Sequence, residues 1–216
     1  MKRKLLMIAA GVVVALLGGW MLAGYLPTKN IETPKYELVT KAKGYEVRQY
    51  APHIIAEVEV SGGYGESLNQ GFRKVADYIF GNNAANGSIS MTAPVLHEKQ
   101  AASEKISMTA PVLHEKSGKT GTYKLAFVMP SKYTLDTLPK PNSAEITLTQ
   151  IPQKKYAVRS YGGYATERKL ERETRKLTDA LNRDNITMTG EPVSAQFNPP
   201  WTPPFMRHNE VMVEVR

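Results

Sequence analysis

The chain of 216 residues contains no cysteine. Neither a disulfide nor a lipid-modified N-terminal cysteine can form, thiol nucleophiles are excluded, and the redox compartment stays open. Histidine is scarce: His53, His97, His114 and His208 are the full set. The signatures that catalytic chains leave are missing as well, with no Gly-x-Ser-x-Gly elbow, no phosphate-binding glycine loop and no His-Glu-x-x-His. Carboxylates are present but follow no paired spacing, so a binding protein is expected rather than an enzyme. No dense basic run interleaves with aromatics, which argues against nucleic acid as a partner.

What the chain does have begins at its N-terminus. After Lys2, Arg3 and Lys4, an uncharged run extends from Leu5 to Leu26. As a helix it would reach ~33 Å, enough to cross a bilayer core. A cleaved signal peptide is the competing reading, but the run is long and no clean small-x-small site precedes Tyr25. Residues 1–26 are therefore read as an uncleaved membrane anchor. Cations ahead of a span stay in the cytoplasm, which sends the remainder to the other side, the periplasm in a bacterium. Residues 27–35 form a short polar linker, and 36–216 are long enough for one domain with a real core. The net charge is +8, and without the three leading cations 25 cations face 20 anions, a scattered +5. Such a surface weakly favours anionic ligands or lipid headgroups.

Eleven residues, Ile-Ser-Met-Thr-Ala-Pro-Val-Leu-His-Glu-Lys, occur twice, at 89–99 and 106–116. In each copy alternate residues face opposite ways along an extended backbone, Ile89, Met91, Ala93 and Val95 against Ser90, Thr92, Pro94 and Leu96. Pro94 and Pro111 lack a backbone donor and put each segment at a sheet edge or at the end of a strand. Two copies fit no solenoid, so a hairpin-like elaboration is expected, with the turn in the connector from Lys99 to Lys105.

Strand patterns cover Tyr36–Thr40, Tyr45–Tyr50, Ile54–Val60, Tyr123–Met129, Glu145–Ile151, Tyr156–Tyr161, Val193–Phe197 and Glu210–Val215. In the third, Ile54, Ala56, Val58 and Val60 face one way and Ile55, Glu57 and Glu59 the other. Two helices are predicted. The first is striped by Leu68, Phe72, Val75 and Ile79 and ends at Gly81. The second runs from about Ala165 to Asn182, striped by Leu170, Thr174, Leu177 and Leu181, with Glu171 four residues ahead of Arg175. Gly62-Gly63-Tyr64 and Gly162-Gly163-Tyr164 each join a strand to a helix, one hundred residues apart, which implies two related halves around a pseudo-twofold axis. The fold class is α+β, and the last strand, with Val211, Val213 and Val215 on one face, is expected to close the sheet.

Several of these stretches together resemble the SOUL haem-binding family. They are Tyr45-Glu-Val-Arg-Gln-Tyr50, Gly71-Phe72 through Gly81, Met-Thr-Ala-Pro-Val at 91–95 and 108–112, Phe127-Val-Met-Pro130, Tyr133-Thr-Leu-Asp-Thr-Leu-Pro-Lys-Pro141, and the ending from Pro200-Trp-Thr-Pro-Pro to Val211. The doubled segment is similar to the bacterial branch of that family. The resemblance implies a distorted antiparallel β-barrel of two β-α-β-β halves, shared with effector-binding domains of bacterial regulators and gyrase-inhibitory proteins. It also implies reversible binding of haem or another tetrapyrrole in an apolar cleft beside the first helix, without turnover. Where some members carry a histidine proposed as iron ligand, this chain has Gln49. Charged helix positions of another branch fall on Asn69 and Asp77. The common ending Arg-Arg-Asn-Glu-Val reads Arg207-His208-Asn209-Glu210-Val211 here.

Haem requires an apolar slot, cations for two propionates, and optionally an imidazole or thioether on iron. Phe72, Val75, Ala76 and Ile79 are the candidate slot. Arg73, Lys74 and Arg207 are the candidate propionate partners. Met206 and His208 sit beside Trp201 and Phe205, and His208 is the first choice for the metal. His97 and His114, with Met91 and Met108, form a possible soft-ligand set that duplication alone explains, and both histidines are expected to be exposed; His53 ranks below His208. Two alternatives stay open: a general hydrophobic small-molecule binding module, and a hydrolase using Glu57 or Glu210.

Overall fold

The computed structural model describes residues 2–85, 103–119 and 121–216. A long helix, α1 (Lys2–Tyr25), comes first, followed by β1 (Tyr36–Ala42), β2 (Tyr45–Tyr50), β3 (His53–Ser61) and α2 (Tyr64–Ile79). The two-residue β4 (Asn83–Ala84) precedes β5 (Val112–Lys116) and β6 (Thr122–Val128), and then come β7 (Lys140–Pro141), β8 (Thr147–Ile151) and β9 (Lys154–Gly162). The chain finishes with α3 (Glu167–Arg183), β10 (Val193–Gln196) and β11 (His208–Glu214).

Nine strands make one curled, wholly antiparallel sheet in the order β1-β2-β9-β11-β10-β5-β6-β3-β8, while β4 and β7 pair separately. The order is symmetric about the β5–β10 seam: β3-α2-β5-β6 on one side mirrors β9-α3-β10-β11 on the other. The two related halves expected from the paired glycine turns are therefore present. At these turns Gly62 has φ +133° and Gly163 φ +82°, values at which a side chain would be strained. The end strands β1 and β8 do not pair with each other, so the sheet is a half-barrel rather than a closed barrel.

Period-two alternation gives the sheet two different faces. One face is covered by the helices. Ile54, Val58, Tyr123, Leu125 and Phe127 pack against Val75, Tyr78 and Ile79 of α2. Val47, Ala157, Val211 and Val213 pack against Leu177 and Leu181 of α3. Full burial of each such side chain contributes about 1.5–3 kcal/mol. Among the described residues no helix covers the other face, which curls around a cavity.

Of the two places its proline allowed, the second copy of the duplicated segment takes the end of a strand and not an edge: β5 lies between β10 and β6 in mid-sheet, and Pro111 directly precedes it. The first copy, 89–99, with most of the connector, lies outside the described residues. Two other expectations need correction. The last strand, β11, does not close the sheet but lies inside it, between β9 and β10. On α3 the ion pairing centres on buried Glu173, held by Arg159, Arg172 and Lys176, and not on Glu171 with Arg175.

Candidate functional site

The helix-free face encloses a cavity of about 570 Å³, within the range of small-molecule and cofactor sites. Odd or even registers decide which residues reach it. From β3 come His53, Ile55 and Glu57; from β5, Leu113 and Glu115; from β6, Lys124, Ala126 and Val128. From the other half come Tyr156 on β9, Val193 on β10, and His208, Glu210 and Met212 on β11. Tyr36, Tyr50 and Phe197 add aromatic wall, and Thr33 and Pro34 of the linker lie at its margin. The two halves thus contribute comparable sets, with the β5–β10 seam as the floor.

One buried polar network is built into this wall. Arg48 places Nη1 3.0 and 3.1 Å from the two carboxylate oxygens of Glu210. Its Nε and Nη2 donate to Glu46 at 2.9 and 2.8 Å, and the guanidinium lies over the Tyr36 ring, 4.5 Å from the centroid. Glu210, only 1% exposed, also accepts from the Ser160 hydroxyl at 3.1 Å and lies 3.0 Å from Nε2 of His208. Burial pushes its carboxyl upward, but the His208 hydrogen bond and the Arg48 charge outweigh this and hold it below the ordinary carboxylate range. Burial raises the Tyr50 and Tyr156 hydroxyls to about 12, so both present neutral rings to the cavity.

Among the described residues two imidazoles, His53 and His208, lie at the cavity margins, and they differ in which nitrogen is free. His53 places Nδ1 2.9 Å from the carbonyl of Ala51. A carbonyl only accepts, so Nδ1 carries a proton, and in the neutral ring this tautomer leaves the lone pair on Nε2. That is the arrangement usual for a metal-ligating histidine. His208 instead has Nε2 engaged by Glu210, and its ring rests on Phe197 with centroids 4.7 Å apart. Apolar and aromatic walls, an imidazole with an available nitrogen, and Arg48, Lys124 and Lys154 in the lining are donors and surfaces that suit an iron tetrapyrrole. The lining carboxylates Glu57, Glu115, Glu191, Glu210 and Glu214 outnumber those three cations, which leaves the exposed Lys124 as the natural partner for a propionate.

The other residues singled out from the sequence lie elsewhere. Val75, Ala76 and Ile79 are buried beneath α2, and Phe72 packs against Phe127 with the rings tilted on the same side, behind the sheet from the cavity. Arg73 donates to the Asn69 carbonyl of its own helix, and Lys74 pairs with Glu145 at 2.7 Å. Arg207 is spent on the Pro199, Pro200 and Thr202 carbonyls, with its guanidinium 4.6 Å from the Tyr164 centroid. Met206 closes the short helical turn Pro204–Met206. Of the nine residues put forward for the slot, the propionates and the metal, only His208 reaches the cavity, together with His53, which ranked below it. Glu57 and Glu210, the alternative hydrolytic carboxylates, both do.

His114 is a further correction. Instead of being exposed it is buried on the helix side, stacked on Tyr123 at 4.8 Å and edge-on to Tyr64 at 5.0 Å. Its Nε2 lies 3.1 Å from Ser67 Oγ. Burial lowers its pKa to about 4, so it is neutral at physiological pH. It forms part of the wall of a second hollow, about 460 Å³, where the start of α2 faces Leu170, Thr174 and Arg175 of α3. Met91 and His97, its expected partners in a soft-ligand set, lie outside the described residues.

Sequence reasoning missed Arg48, Tyr50 and Tyr156 as cavity residues. The signal was available in the strand alternation, which separates Arg48 and Tyr50 from Val47, but nothing in one sequence says which face is open.

Comparison with known proteins gives a consistent picture. The sequence pattern described as SOUL heme-binding protein matches residues 31–102 and 96–214, with the break at the duplicated segment. Human Heme-binding protein 2 is 25% identical over 159 residues, spanning 71% of each chain. Among solved structures, the EcmrR C-terminal domain superposes with a TM-score of 0.58 at 8% identity, over 84% of this chain and 98% of that one. A hydrolase from Listeria innocua superposes with a TM-score of 0.51 at 11% identity, over 82% and 94%. The last two share the fold with this chain and carry nothing further.

Proposed function

The chain belongs to the SOUL heme-binding protein family, and on that premise we propose that it is a membrane-tethered, extracytoplasmic protein that binds haem or another tetrapyrrole reversibly, without transforming it. Residues 1–26 are the anchor, 27–35 the tether and 36–216 the binding domain, as in a bacterial, membrane-anchored branch of the family. The tether is supported by α1, whose stretch Met7–Tyr25 is apolar, long enough to span a bilayer and almost wholly exposed. Binding without turnover is supported by the pairing of Glu210 with Arg48 and Ser160, which makes that carboxylate a weaker base.

The single observation that carries the ligand assignment is His53. It stands on the cavity side of β3 with Nδ1 fixed by the Ala51 carbonyl, so that Nε2 can hold iron. Tyr50, Tyr156, Leu113 and Phe197 would sandwich the macrocycle, and Lys124 would meet a propionate. The bound group would supply an iron centre; the protein would supply the His53 imidazole, the aromatic and apolar wall, and Lys124 as propionate partner. His208 is the second candidate ligand, through Nδ1.

The test is a hemin titration of the chain from Pro27 onward. Wild type should give a saturable, shifted Soret band at one equivalent. His53→Ala should keep binding but lose the ligand-dependent band position, while His208→Ala should keep both. Unsaturable uptake by wild type contradicts the assignment. A second reading, a binding module for hydrophobic cations, is favoured by the carboxylate surplus of the lining. It predicts that ethidium binds the cavity while hemin fails to compete.

A further inference from the structure

The loop between β10 and β11 carries large apolar side chains in the open. Trp201 is 57% exposed and Phe205 68% exposed. Isolated apolar residues on a surface need no explanation, but this loop is also tied to the end of the anchor helix. Trp20 of α1 donates from Nε1 to the Trp201 carbonyl at 2.8 Å, and Trp201 donates from its own Nε1 to the Ala23 carbonyl at 3.1 Å. Gly24 lies so close that a Cβ there would come within 2.7 Å of Pro203 Cδ. Trp201 is therefore held level with the last turns of α1.

The backbone of this loop is suited to leaving water. Pro199, Pro200, Pro203 and Pro204 have no N–H to satisfy. The carbonyls from 199 to 204 all have donors within the protein: Arg207 serves Pro199, Pro200 and Thr202, and Trp20 serves Trp201. Pro203 accepts from the Met206 amide at 2.9 Å and Pro204 from the Gly163 amide at 3.0 Å. Irregular backbone is costly in a bilayer because its polar groups go unpaired, and here six successive carbonyls escape that cost. Tryptophan is also enriched at the membrane–water interface.

We propose that residues 198–206 form a second membrane contact, with Trp201 and Phe205 inserted into the lipid interface beside the emerging anchor. The partner is a phospholipid bilayer surface. The contact rests on the reading of α1 as a span. It would fix the orientation of the domain, because Phe197 and His208, at the two ends of the loop, line the cavity.

The chain has only two tryptophans, which makes a direct test possible. The full chain is placed in nanodiscs of phosphatidylcholine with brominated or unbrominated acyl chains, and tryptophan emission is compared between the two for wild type and for Trp201→Phe. Trp201→Phe reports Trp20 alone, and bromine in the bilayer should cut its emission by about twofold or more. The proposal expects wild type to be quenched to the same extent, with no water-exposed component left. If Trp201→Phe is quenched but the fractional loss in wild type is only about half of the loss in Trp201→Phe, the loop is in water and the proposal is overturned while the span stands. If Trp201→Phe is not quenched, α1 is not in the bilayer, and the membrane reading and this contact fail together.

Discussion

Arg48 and Glu210 show what a single buried charge pair commits a protein to. Both are nearly inaccessible, and although Glu46 also holds Arg48 and Ser160 also serves Glu210, the charge of each is balanced in the buried wall chiefly by the other. Arg48→Met should therefore destabilise the fold by about 3–5 kcal/mol, since Glu210 would be left buried with too few donors. The double change Arg48→Met with Glu210→Gln should recover most of that loss in urea unfolding. His114 gives a pH prediction. Its folded pKa of about 4 lies below the value near 6.5 of an unfolded chain. Between those values the unfolded state binds more protons, so the histidine contributes no penalty above pH 6.5 and destabilises the fold progressively as pH falls toward 4. The loss amounts to about 3 kcal/mol. Urea midpoints measured across that window should fall for wild type and lack this component in His114→Gln.

At the scale of elements, α2 approaches β6 through Gly71, where a Cβ would meet Leu125 Cβ at 2.8 Å. That atom cannot swing away as a side-chain tip could, so helix and sheet must separate. Gly71→Ala gains about 1 kcal/mol of helix propensity yet should lose about 1–3 kcal/mol to overpacking, a net destabilisation in chemical unfolding. Most elements were legible in advance. Alternation identified β2 to the residue and β3, β6 and β9 within two, and the apolar stripes identified both domain helices, because these patterns are the local price-free consequence of burying one face. The place of the duplicated segment in the sheet stayed open between two positions for a physical reason. Pro111 marks the end of a strand equally well at an edge or inside a sheet, and only pairing with β10 and β6 separates the two.

For the whole molecule, two related halves were readable from the paired Gly-Gly-Tyr turns, and the family from the quoted motifs. Which side of the sheet is hollow was not readable. Phe72, Val75 and Ile79 lie on a helix that must bury its stripe, and they do so against the sheet, while Arg48, Tyr50 and His53 look like ordinary strand residues until the sheet curls. Curl is a property of nine strands together, and no local pattern encodes it. The account therefore turns on the helix-free cavity as the seat of the ligand. The most direct measurement is hemin binding, followed at the Soret band, by wild type, Leu113→Trp and Arg73→Ala in the chain from Pro27 onward. Leu113→Trp fills the cavity floor and should abolish stoichiometric binding, whereas Arg73→Ala, behind the sheet on α2, should bind as wild type does. Full binding by Leu113→Trp together with loss in Arg73→Ala would contradict the account and return the ligand to the helix side.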